Sequence, residues 1–286
     1  VRASRTQHHA AQAMARAWRV ATLVLLAAAS VQAAVDCNAS AYWDGIDVSQ
    51  PWGDLAPLLT ARLQATHVSI PYSSSNTTDI WDSVAELDAD PDVPGNVIEV
   101  YTRNSVPRSD SADEYNREHC WIKSCGIETS GPDYSDVFNL RASNDKVNSA
   151  RANKWYDFCT SSDCYTPDGA PSDCLTDDLV FQPPAEMRGD LARGAMYMAL
   201  RYDGSEASTV DLQLSSCGDA ANGIFGNVTS LYSFHLADPI SDAEQLRNNE
   251  ACSDFQFTRN PFIDFPDLVD KFFSYLVDNG LDQLGC

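Results

Sequence analysis

Residues 116–126 read NREHCWIKSCG, and residues 134–153 read YSDVFNLRASNDKVNSARAN. The first stretch suits an extended segment around Arg117, Glu118 and His119. In the second, residues 134–140 alternate well enough to predict another strand. Ser143 then stands where a helix N-cap belongs, and the spacing predicts a helix from there to about residue 156. Strand, loop, strand, helix is thus the expected core. Two hairpin strands packed on a helix can bring Glu118, His119 and Asn148 to one cleft.

Those three side chains suit the cleavage of a phosphodiester. The charge on phosphate repels nucleophiles, so the reaction needs a cation on the oxygens and a base for water. Glu118 and Asn148 offer hard oxygen ligands, which fit Mg²⁺. A histidine such as His119 accepts a proton near neutral pH. Glu118 and His119 are sequence neighbours, so a regular strand sends them to opposite faces. Both serve one site only if the strand end is irregular. The alternative for an isolated Glu-His pair is a solvated surface position.

The wording around them resembles the bacterial endonuclease I family of secreted and periplasmic nucleases, within the His-Me finger or ββα-metal group. Residues 116–126 look like its R-E-H-x-W-P-K-S-x-G, and residues 134–153 like its Y-S-D-L-H-H-L-R-P-S-D and V-N-S-x-R-x-N. Residues 181–184 and 188–202 are similar to F-x-P-P and R-G-D-x-A-R-x-x-x-Y-M. Residues 238–248 and 259–266 are similar to D-P-V-S-x-x-E, R-N and N-P-F-x-D-x-P. The resemblance keeps family order over about residues 97–270. It implies Glu118 and Asn148 as metal ligands for Mg²⁺, with Mn²⁺ or Ca²⁺ able to substitute, and His119 as general base. It implies cleavage of DNA, and of RNA as well, with little sequence preference. Arg117, Arg141, Arg151 and Arg193 match family arginines and are the candidates for substrate binding; pairing with nearby acids is the competing role for each. The chain departs from the family at Ile122 and Ala142, where the family has Pro, at Phe138-Asn139, where it has His-His, and at Phe257-Thr258, where it has Gly-Asn. Cys120 and Cys125 flank the Glu-His pair; they are expected either to staple it or to stay as two buried thiols.

Working outward, the chain has 286 residues, 44% of them hydrophobic, enough for a sizeable core. Met14, Arg16 and Arg19 precede an apolar run over residues 20–31, and Val31-Gln32-Ala33 fits a signal cleavage site. Residues 1–33 are therefore expected to be an N-terminal extension and signal peptide. The run is too short to span a bilayer, so a membrane anchor is the weaker alternative. Nine cysteines follow, which in a secreted chain predicts disulfides. Cys159, Cys164 and Cys174 suggest a local staple, with a zinc site as the competing reading. Asn38, Asn76 and Asn227 begin glycosylation triplets.

The formal charge is −22, unusual for a binder of polyanions. Residues 103–201 nevertheless hold 11 of the 15 basic residues that follow residue 33. The remainder reads as an acidic, solubilising face.

Other elements follow from periodicity. Leu55, Leu58, Leu59 and Leu63 mark a helix over residues 53–67, residues 80–87 a second, and residues 96–103 a strand. Residues 157–180 read as loop. A helix opens at Pro183-Pro184 and runs to residue 202. Ser241 and Glu244 form a capping box. A last helix starts at Pro266, turns Leu268, Val269, Phe272, Phe273, Leu276 and Val277 inward and stops at Gly280. The fold class expected is α+β: a mainly helical single domain over residues 34–286, around a small ββα-metal (His-Me finger) motif at about residues 97–156.

The expected protein is a secreted, monomeric nuclease with no membrane association in its mature form. A catalytically weakened family member acting as a secreted binding protein is the first alternative. An Asp-rich calcium binder is the second, although no EF-hand loop occurs. No G-x-S-x-G, P-loop or H-E-x-x-H motif points to another hydrolase class.

Overall fold

A computed structural model describes residues 35–108, 115–127 and 129–285. The expected signal segment, residues 1–33, lies outside the described residues. Residues 37–285 are mixed α+β, and no described helix is long and apolar enough to cross a membrane.

Among the described residues, helices α1 (Ala39–Tyr42), α2 (Trp52–Thr66) and α3 (Ile80–Leu87) come first. Leu55, Leu59 and Leu63 of α2 are buried as the spacing predicts, but Leu58 is 43% exposed. A full capping box starts α3: Asp79 accepts from Trp81 N and Asp82 N, and Asp82 accepts from Asp79 N. The strand expected over residues 96–103 is shorter. Only β1 (Asn96–Ile98) is extended, pairing antiparallel with β2 (Ser105–Pro107). The chain reverses after it, because Arg103 N returns to Glu99 O and Arg103 adopts φ 60°.

β3 (Asn116–His119) pairs antiparallel with β4 (Leu140–Ser143), setting Glu118 opposite Arg141 and His119 opposite Leu140. The second strand was expected at residues 134–140, yet that segment is a series of turns. The cause is Asp136. Its buried carboxylate accepts from Phe138 N, from the hydroxyls of Tyr197 and Tyr202, and from the amide of Gln256. Four donors on one carboxylate outweigh a weak alternation. Helix α4 (Asp145–Arg151) follows β4 directly, capped by Asn144 rather than Ser143. It ends at Arg151, short of residue 156, because Ala152 takes φ 49° and Trp155–Tyr156 forms β5. β5 runs parallel to β7 (Val180–Gln182), which also pairs antiparallel with β6 (Leu175–Thr176).

The helical body gathers on α5 (Arg188–Arg201), whose Leu191, Ala195, Met196 and Met198 are buried against α2 and α6 (Val228–Ala237). Ser241 caps α7 (Asp242–Glu250) by accepting from Glu244 N. The capping box expected there stays half-made, since the Glu244 carboxylate pairs with Arg193 instead. A π-helical turn (Ala251–Gln256), α8 (Pro261–Asp264) and α9 (Leu268–Asp278) complete the body. Leu268, Val269, Phe272 and Leu276 of α9 face inward, whereas Phe273 is half-buried and Val277 is exposed. Gly280 takes φ 68° past its end, a conformation open to glycine at no steric cost.

Cys37 bonds Cys252, Cys159 bonds Cys164, and Cys217 is also disulfide-bonded. Cys120, Cys125 and Cys174 are free, buried thiols, so no staple joins Cys120 to Cys125. Cys159, Cys164 and Asp177 lie close enough to suggest a metal, but both sulfurs are already in a disulfide.

Candidate active site

α4 packs against β3, and the two enclose a polar cavity of about 280 Å³. Arg117, Glu118 and His119 from β3, Ile122 and Lys123 from the turn after it, and Asn148 and Arg151 from α4 line this cavity. Glu118 and His119 share it despite being sequence neighbours. His119 is the last residue of β3 and the chain bends at Cys120, which relaxes the alternation. Glu118 and His119 are 4% and 5% exposed; Asn148 is half-buried.

Glu118 Oε1 accepts from the Tyr101 hydroxyl at 2.8 Å and lies 3.0 Å from Arg151 Nη1. The Tyr156 hydroxyl is 2.5 Å from that of Tyr101. Since Tyr101 gives its proton to Glu118, Tyr156 donates to Tyr101. Burial raises the Glu118 pKa above the usual glutamate range, and Arg151 and Tyr101 only partly offset it.

His119 Nε2 lies 2.9 Å from the carbonyl oxygen of Tyr134. A carbonyl only accepts, so Nε2 carries the proton and Nδ1 keeps the lone pair. The ring stacks on Tyr72 with centroids 5.6 Å apart and leans on Tyr134 at 5.0 Å. Burial pushes its pKa down to about 4, so the imidazole is neutral at pH 7.

The four arginines divide two and two. Arg117 and Arg151 reach the cavity wall. The Arg117 guanidinium sits between the rings of Tyr72 (3.7 Å) and Trp81 (4.1 Å) and donates to Tyr72 O and Ser73 Oγ. Arg151 is 1% exposed and donates to the carbonyls of His119 (3.0 Å) and Cys120 (2.6 Å). Arg141 and Arg193 lie outside the cavity. Arg141 pairs with Asp88 (3.0 Å) and Asp190 (3.3 Å). Arg193 is fully buried and grips Glu244 through Nε (2.7 Å) and Nη2 (2.6 Å). The structure does not bring these two to the cavity that holds Glu118, His119 and Asn148.

Two of the family departures, Phe138 and Asn139, have local partners. Asn139 accepts from Trp121 N at 2.6 Å and donates to Trp121 O at 3.3 Å, fastening the chain just past the Glu-His pair. Phe138 packs on the Tyr197 ring. Phe257 adopts φ 59° where the family has glycine, a strained choice for a residue with a Cβ.

The donor set fits a hard divalent cation. Tyr101 and Arg151 both engage Oε1 of Glu118, and among the described residues the Asn148 side-chain amide makes no hydrogen bond. One carboxylate and one amide oxygen match a cation that retains most of its waters. The sequence reading missed Tyr101, Tyr72 and Lys123. Tyr101 and Tyr72 carry no motif signal; Lys123 was visible only as part of the first motif.

A family model described as Endonuclease I matches residues 59–267, so the chain belongs to the endonuclease I family of nucleases. It is 35% identical over 215 residues to an extracellular ribonuclease of Bacillus amyloliquefaciens, covering 73% of this chain and 71% of that one. It is 32% identical over 244 residues to an extracellular ribonuclease of Bacillus subtilis (strain 168), covering 84% and 80%.

Proposed function

We propose that this chain is a secreted, metal-assisted nuclease that hydrolyses phosphodiester bonds of RNA and DNA with little sequence preference. The observation that carries the reading is that the neighbours Glu118 and His119 line one cavity together with Asn148, which comes from a different element. The hairpin β3–β4 followed by α4 is read as the ββα-metal motif. Secretion is inferred from the leader-like residues 1–33, the disulfides and the names of the two relatives.

His119 is the general base: neutral at pH 7, its Nδ1 takes a proton from the attacking water. The Nε2–H bond to Tyr134 O holds the ring in one tautomer and steadies it as positive charge develops. Glu118 and Asn148 hold the cation. Mg²⁺ when bound supplies charge on the phosphate oxygens and on the departing oxygen, with Mn²⁺ or Ca²⁺ as substitutes. Arg151 aligns Glu118, and Arg117 faces the substrate backbone from the wall.

The test is digestion of RNA and DNA with Mg²⁺ or with EDTA, by the wild type and by His119→Ala, Glu118→Gln and Asn148→Ala. Each variant is expected to lose about 10²–10⁴-fold in rate with an unchanged circular dichroism spectrum. Wild-type rates in His119→Ala, or full activity in EDTA, reject the mechanism.

A further inference from the structure

We propose that Lys123, at the mouth of the cavity, is the cation that holds a backbone phosphate of the substrate; this rests on the nuclease reading above. Among the described residues three cations, Arg117, Lys123 and Arg151, line the cavity, and two are already engaged. The charge of Arg151 is matched by Glu118, and its terminal nitrogens serve the carbonyls of His119 and Cys120. Arg117 is clamped between Tyr72 and Trp81 and bonded to Tyr72 O and Ser73 Oγ. Lys123 is exposed and, among the described residues, makes no ion pair and no hydrogen bond; its ammonium lies 6.0 Å from the centroid of the Tyr134 ring.

The turn that carries Lys123 is anchored. Ile122 and Cys125 are buried on either side, Cys125 N donates to Ile122 O at 2.9 Å, and the Trp121 indole donates to Cys125 O at 2.7 Å. A fixed backbone therefore presents a free ammonium beside the candidate base. Lys123 lines the same cavity as Glu118, His119 and Asn148, the side chains that would face the reacting phosphate. Elsewhere Arg103 pairs with Glu186, Arg108 with Glu86 and Lys146 with Asp168. A polyanion approaching a chain of charge −22 needs such an uncompensated cation, and a lysine ammonium is a compact point charge suited to phosphate.

The experiment measures kcat and KM on short single-stranded oligonucleotides from about 50 to about 200 mM salt, for the wild type, Lys123→Gln and Lys123→Arg. Lys123→Gln is expected to raise KM about tenfold with kcat within about twofold, and to reduce the log–log salt slope of kcat/KM by about 0.7. The loss should be equal for every base sequence, since phosphate carries no sequence information. Lys123→Arg should keep both the KM and the slope. A Gln variant with wild-type KM and slope overturns the proposal, as does one that loses kcat at constant KM. A wild type that cleaves nothing overturns the nuclease reading, and the proposal with it; an active wild type with an unmoved slope in Lys123→Gln overturns the proposal alone.

Discussion

Arg151 Nη1 stands 3.0 Å from Glu118 Oε1, and the same guanidinium holds the main-chain carbonyls of His119 and Cys120. One side chain thus ties the end of α4 to the end of β3 and fixes the spacing of the candidate site. Both partners are buried, so removing one leaves an uncompensated charge. Arg151→Met is expected to destabilise the fold by about 3–5 kcal/mol. Lysine at 151 should recover little, because it lacks the planar fork that serves three acceptors at once. Urea unfolding monitors this, and an Arg151→Met midpoint equal to wild type contradicts it.

Asp136 acts on His119 at one remove. It pins the turns of residues 134–139 through Phe138 N, Tyr197, Tyr202 and Gln256, and those turns carry the Tyr134 carbonyl that orients the imidazole. Asp136→Ala orphans several buried donors and should cost about 3–5 kcal/mol. Nuclease rates measured where the variant is still folded should also fall. A destabilised variant with wild-type kcat separates the two effects and refutes the coupling.

His67 gives a pH dependence of stability. Its side chain is buried, 3.9 Å from Asp136, and that burial pushes its pKa down to about 4 from an ordinary 6.5. Below pH 6.5 the unfolded chain takes up the proton and the folded chain does not. Stability is therefore lost as pH falls from about 6.5 and the loss is complete near pH 4, amounting to about 3 kcal/mol for this group at most. Melting temperatures recorded from about pH 7 to about pH 4.5 should fall less in His67→Gln than in the wild type. Parallel curves exclude the effect.

The two mapped disulfides should differ in weight. Cys37–Cys252 spans 215 residues and Cys159–Cys164 only 5. Loop entropy alone assigns them about 5 and about 2 kcal/mol. The double serine variant at 37 and 252 should lower the melting temperature clearly more than that at 159 and 164. Equal losses argue that native-state strain or residual unfolded structure dominates.

Local physics was open to reading along the chain. The α3 box at Asp79, the Ser241 cap and the glycine after α9 depend on neighbours within a few residues, which the chain carries in its own local order. Only the folded chain settles where the second strand lies and which groups hold each arginine. Asp136 draws three of its four donors from residues 61 to 120 positions away. Arg193 finds Glu244 at a separation of 51, and Arg141 finds Asp88 at 53. A buried charge requires a partner wherever the fold supplies one, and periodicity holds no record of contacts made at such distances.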